Sequence, residues 1–205
     1  HWRLHLLIFL FTFVFFPLLG LLGQWLMPNL FPAPLWIGML FICALPSTVQ
    51  SSIAFTSIAR GNVPAAICSA AASNLFGIFL TPVLVGAMLQ AHGGSIALSK
   101  IWDIVLQLLV PFVAGHLLRP LIGGWVDRHR ILLNATDRGS ILLVVYSAFS
   151  AAVVEGLWHV VPLPTLGLIV AANAVLLGIV LCATRWGSRR LGFSRDDEIA
   201  IVFCG

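Results

Sequence analysis

The sequence predicts a polytopic all-α membrane protein. Three observations carry that reading: the composition, a series of apolar runs of bilayer-spanning length, and basic residues confined almost entirely to one side of those runs. The 205 residues are 60% hydrophobic and only 9% charged, with a mean hydropathy of +1.05, whereas a soluble domain carries about 25% charged residues. A water-soluble fold of this length exposes too much surface for so little polar material to cover. The net charge of +4 is spread over short segments between apolar runs and forms no basic face, which excludes nucleic acid as a partner. Cys43, Cys68, Cys182 and Cys204 each lie in an apolar run with no CxxC pair, so they read as free thiols. Neither a disulfide framework nor a zinc site is indicated, and no HExxH motif or phosphate loop is present.

A helix needs about 20 apolar residues to cross the hydrocarbon core. Six stretches meet that length: His5–Met27, Leu35–Ala59, Val63–Gln90, Ile101–Ile122, Gly139–Val161 and Pro164–Thr184, with a seventh opening near Ile199. The chain starts at His1 rather than Met and stops at Gly205 within the run IAIVFCG, so it is expected to be a piece of a longer protein. Residues 1–205 read as a single transmembrane domain.

Numbering the connections alternately puts Arg3, Arg60, Arg119, Arg128, Arg130, Arg138, Arg185, Arg189, Arg190 and Arg195 on one side and Lys100 alone on the other. The basic side is cytoplasmic by the positive-inside rule. All seven tryptophans lie within a few residues of a span end, where an indole is half buried and its N–H reaches water.

Within ARGNVP, Gly61 suits a helix C-cap, Asn62 an N-cap and Pro64 the first turn of the next helix. The segment reads as a tight turn between antiparallel helices.

The second span carries the polar chemistry. Pro46 falls near its middle and is followed by Ser47, Thr48, Gln50, Ser51 and Ser52, then Thr56. An interior proline removes a helical hydrogen bond and clashes with the preceding turn. In lipid, open backbone is tolerated only where protein or a water-filled cavity satisfies it. Proline and hydroxyls together therefore point to a discontinuous helix lining a binding site, since half-helices present free N–H groups to anions and free carbonyls to cations. The competing reading is a proline kink whose serines pack against neighbours. In the third span, Ser69 and Ser73 share a face with Asn74 beside them. They could add oxygens to the same cavity, or serve close packing alone. Glu155 and His159 are four apart and could pair or bind a metal; their place near the outer membrane surface beside Trp158 favours an interfacial ion pair. His116 reads as a hydrogen-bonded packing residue. HGGS at His92–Ser95 lacks the G-x-S-x-G pattern of a nucleophile elbow.

The stretch LPSTVQSSIAFTSIARGNVPAAICSAAASNLFGIFLTPVLV closely resembles the SBF-like branch of the bile acid:sodium symporter family. FVFFPLLG, LLVVYSAFSAAVVEGLW and DDEIAIVFCG resemble further segments of it. The resemblance implies ten helices in two inverted five-helix repeats, in which the six spans are the third to the eighth and Ile199 opens the ninth. It also implies broken fourth and ninth helices crossing at the binding site, with the PSTVQSS segment in the fourth. The family's Ser-Asn pair falls on Ser51 and Ser52, a glutamine of relatives on Thr12, hydroxyl positions on Ala66 and Ala70, and an acidic residue near Val202. Na+ is the coupling ion that the resemblance implies, and it takes hard oxygen donors.

Sequence and resemblance together give a secondary transporter of a small organic solute, expected to be anionic, in a bacterial plasma membrane. Two alternatives stay open: a membrane regulator of ion homeostasis with this fold and no bulk transport, and an intramembrane hydrolase using Glu155 and His159.

Overall fold

The computed structural model describes residues 2–90, 98–156 and 162–205. Among the described residues the chain is helical, with no strand. Helix α1 (Trp2–Leu10) continues through one π-helical turn, Phe11–Phe15, into α2 (Phe16–Leu26). Pro17 accounts for the wide turn. Its ring would press on the Phe13 carbonyl of an unbroken α-helix. Instead the Phe16 N–H bonds back to the Phe11 carbonyl, five residues away, and opens the turn.

The remaining helices are α3 (Ala33–Cys43), α4 (Val49–Ile58), α5 (Val63–Gln90), α6 (Leu98–Arg128), α7 (Arg130–Val154), α8 (Leu163–Arg190) and α9 (Arg195–Cys204). Five segments of the described residues are long and apolar enough to cross a membrane: Trp2–Leu26, Val63–Met88, Leu109–Arg128, Arg130–Val154 and Leu163–Arg190. The chain is a polytopic helical membrane protein. The expected span Leu35–Ala59 is two helices, α3 and α4, with a non-helical segment between them. The 11 residues of α3 cover about 16 Å, roughly half the hydrocarbon thickness.

Several helix ends differ from the hydropathy reading. The runs ending at Ile122 and starting at Gly139 suggest a long basic loop, yet α6 reaches Arg128 and α7 begins at Arg130, leaving His129 alone between them. Hydropathy falls where charges begin, but helical hydrogen bonding does not, so helices run on past the apolar window. Likewise α9 opens at Arg195, four residues before the apolar run at Ile199. Ser194 caps it by accepting from the Asp197 N–H, and Asp196, Asp197 and Glu198 occupy the first turn, where the helix dipole favours negative charge.

The molecule divides into two compact units, His1–Leu108 with Ala174–Gly205, and Leu109–Asn173. In the first, Leu4 and Ile8 of α1, Ala66 of α5, and Ala200, Ile201 and Cys204 of α9 form one buried cluster. Leu40, Ala44 and Met88 form another, with Leu21 and Leu84 packed against it. In the second, α7 has no buried residue.

The turn after α4 corrects the role expected for Gly61. The Gly61 N–H bonds to the Thr56 carbonyl (2.8 Å) and the Arg60 N–H to Ser57 (3.0 Å), the paired bonds of a Schellman end. The left-handed position in that motif belongs to Arg60, at φ 61°, a conformation that costs a non-glycine residue about 1–2 kcal/mol. Glycine is required one residue later because α9 comes closest there: a Cβ on Gly61 would stand 2.4 Å from Ile199 Cγ2. Asn62 caps α5 by accepting from the Ala65 N–H (3.0 Å), and its amide donates to Asp197 Oδ1 at 2.7 Å. Pro64 sits in the first turn of α5, where its missing N–H removes no helical bond.

Candidate functional site

The break between α3 and α4 runs from Ala44 to Thr48. Pro46 cannot donate a backbone bond, and Thr48 is extended (φ −76°, ψ 126°) at the start of α4. Carbonyls freed by such a break are costly in lipid unless something donates to them. Helix α5 supplies the donors. Thr81 Oγ1 donates to the Ala44 carbonyl (2.9 Å), and the Asn74 amide donates to the Ser47 carbonyl (2.7 Å) and to its own helix at Ala70 (2.9 Å). Between the two donors lies Gly77, where a Cβ would meet Pro46 Cγ at 2.8 Å. Asn74, Gly77 and Thr81 lie along one face of α5, spaced by three and four residues. That face cradles the break.

Hydroxyls collect around the start of α4. Ser47 Oγ and Ser52 Oγ are 2.8 Å apart, and Ser52 is buried. Thr48 Oγ1 hydrogen-bonds Ser51 Oγ on the exposed side. Gln50 is also exposed, in the first turn. One turn beyond Ser52, Thr56 is fully buried, with the Cys204 thiol as a weak hydrogen-bond partner of its hydroxyl. On α5, Ser73 is also fully buried, and its Oγ finds no hydrogen-bond partner among the described residues. A buried hydroxyl left unpaired forfeits about 1–3 kcal/mol.

The other candidates have different surroundings. Ser69 Oγ pairs with His5 Nδ1 at 2.7 Å, tying α5 to α1 rather than to the break. Thr12 sits in the π-turn, buried, and donates to the Ile8 carbonyl (2.9 Å), with the Cys204 carbonyl 3.5 Å away. The sequence therefore brings Ser47, Ser52 and Asn74 together, and Thr48 with Ser51. It separates Ser69 from them. Ala66 and Ala70, where the family resemblance expects hydroxyls, are fully buried. The Ala66 carbonyl lies 3.9 Å from the Cys204 thiol. Val202 is half buried on α9.

Thr81 and Gly77 escaped the sequence reading. The signal that could have found them is the stripe Asn74, Gly77, Thr81, polar or minimal at helical spacing within an apolar span. Glu155 ends α7 and is exposed, while His159, His92 and Trp158 lie outside the described residues. His116 is exposed on α6. Among the described residues no three His, Cys, Asp or Glu side chains gather as a metal site.

The fold and site define a polytopic helical membrane protein whose second span is interrupted and held by its neighbour, a construction that secondary transporters share. Residues 1–205 match the SBF-like CPA transporter family over their whole length, and the chain belongs to it. It is 60% identical over 207 residues to "Uncharacterized protein PA2026" of Pseudomonas aeruginosa and 54% identical over 205 residues to "Putative symporter YfeH" of Escherichia coli. Sodium/bile acid cotransporter 7-A of Xenopus laevis is 28% identical over 213 residues. Each comparison covers 100% of this chain but only 60–62% of the relative, so the chain spans about three-fifths of the length of the curated relatives it matches.

Proposed function

We propose that this chain forms the ion- and solute-binding part of a secondary transporter in the bacterial plasma membrane, moving a small organic anion by alternating access with Na+ as coupling ion. The observation that carries the reading is the broken α3–α4 segment beside a cluster of hydroxyls, Ser47 with Ser52 and the buried Thr56. Sodium coordination uses neutral and anionic oxygens, and weakly bonded hydroxyls beside such a break are suited to become ligands. The N-terminal end of α4 opens at the break, and the helix dipole there favours an anionic group on the solute. Membership of a transporter family, and a relative named as a sodium/bile acid cotransporter, support the same reading. The expected ten-helix inverted-repeat frame would set this break against a second crossing helix opened by α9.

Thr56 gives the test, in the full-length protein. Thr56→Val keeps shape and removes a hydroxyl whose partner in the ion-free state is the weakly bonding Cys204 thiol. Without sodium the variant should keep the wild-type stability to within about 1 kcal/mol. Sodium-dependent stabilisation and uptake in proteoliposomes should require about ten-fold more sodium, as expected for one lost ligand. A packing role predicts the reverse pattern, lower stability with unchanged sodium dependence, and that outcome would sink the site.

A further inference from the structure

We infer that the junction of α4, α8 and α9 is a binding pocket for the phosphate headgroup of an acidic phospholipid. A cavity of about 500 Å³ opens there beside Ala59, the residue that follows α4. Arg185 and Arg189 from the end of α8, with Arg195 and Glu198 from the start of α9, line it together with Ile199 and Phe203. Glu198 bonds both α8 arginines, at 3.3 Å to Arg185 Nε and 3.0 Å to Arg189 Nε. One carboxylate thus neutralises one of three guanidinium charges and fixes the geometry of two. Arg195 has no ion-pair partner among the described residues. The pocket keeps an excess of two positive charges.

The shape of that charge selects the ligand. Planar guanidinium forks match phosphate oxygens. The guanidinium-bearing side chains of Arg185 and Arg189 are 60% and 58% exposed, while Ile199, Val202 and Phe203 are half buried. An apolar wall under a cationic rim fits an amphiphile with a phosphodiester head and a glyceryl-acyl body better than it fits a free ion. The pocket also lies on the side that carries 10 of the 11 basic residues, the leaflet face rich in anionic lipid, and basic pockets between helices on that side take such headgroups. It is separate from the Ser47–Ser52 site: it stands beyond the opposite end of α4. Occupancy would clamp the end of α8 to the start of α9, the helix that packs against α4 and α5.

The experiment uses purified full-length protein and follows its thermal unfolding against added phosphatidylglycerol, phosphatidylcholine, glycerol 3-phosphate and inorganic phosphate. Two variants are compared. Arg195→Gln removes the guanidinium that holds no ion pair. Arg190→Gln removes a neighbouring one that stacks on Trp186, 5.0 Å from the ring, and does not line the cavity. Phosphatidylglycerol should stabilise the wild type and the Arg190 variant alike. Its half-saturating concentration should rise about five-fold in the Arg195 variant, the effect of one lost arginine near an anionic lipid. Equal losses in both variants would reduce the effect to diffuse charge and overturn the pocket. Stabilisation by glycerol 3-phosphate or inorganic phosphate with none by the lipid would overturn the lipid assignment.

Discussion

Asn, Ser and Thr side chains are spent differently in the two units. Among the described residues of Leu109–Asn173, the Asn, Ser and Thr side chains bond within their own helix: Thr136 to Leu132, Ser140 to Thr136, Ser147 to Leu143 and Asn173 to Ile169. In the other unit several cross between elements: Asn74 to Ser47, Thr81 to Ala44, His5 with Ser69 and Asn62 with Asp197. The residue types are the same. What differs is whether a neighbour offers backbone groups that its own helix cannot use. A polar residue in a membrane span becomes specific only when facing a break, a cap or another polar group. Otherwise it folds back on the turn before it.

Matched substitutions test that contrast in the full-length protein. The largest effect is expected at glycine. Gly77→Val drives a branched side chain into the Pro46 ring and should lower stability by about 3 kcal/mol, the upper end for overpacking. Gly139→Val in α7, where a Cβ meets nothing within 4 Å, should change it by less than about 0.5 kcal/mol. Detergent-phase thermal unfolding reads both, and equal effects would erase the distinction between the units. Next comes asparagine. Asn74→Leu leaves the Ser47 carbonyl without its donor and should cost about 1–2 kcal/mol and reduce transport by loosening the break. Asn173→Leu, which only frees a carbonyl already bonded in its helix, should be near neutral and leave transport intact. Comparable losses in the two would mean that the asparagine at the break is ordinary packing. Threonine gives the smallest contrast. Thr81→Val should cost about 0.6 kcal/mol, the mean for a hydrogen bond between membrane helices, against no loss for Thr136→Val. A double change at Asn74 and Thr81 that costs more than the sum would sharpen the picture, since both act on one break.

The parts of this architecture written in local sequence were legible in advance. Pro46 followed by hydroxyls announces an interrupted helix, because a proline at mid-span must be compensated and hydroxyls are the cheapest compensation. Asn62 announces a cap for the same reason of unsatisfied N–H groups. The parts set by a distant neighbour were hidden. Gly61 carries a turn signal, yet its glycine is demanded by Ile199, 138 residues on, and the strained conformation passes to Arg60. Thr81 looks like any threonine in an apolar helix until Ala44 is known to face it. Ser69 looked equivalent to Ser73, but His5 takes one and not the other. Helix ends at 123–138 were misplaced because hydropathy measures where lipid stops, not where hydrogen bonding does.

The wide turn at Phe11–Phe15 sets the phase of the first span. Leu4, Ile8 and Thr12 are buried at steps of four, and so are Phe13 and Pro17, with Gly20 following. The two stripes are offset by a single residue, and Thr12 and Phe13, adjacent in sequence, are both buried because the turn that contains them holds one residue more than an α-helix would. Removing one residue from that turn would rotate every position before it by about 100° relative to those after it. Leu4 and Ile8 would then leave the buried face that Phe13 and Pro17 continue.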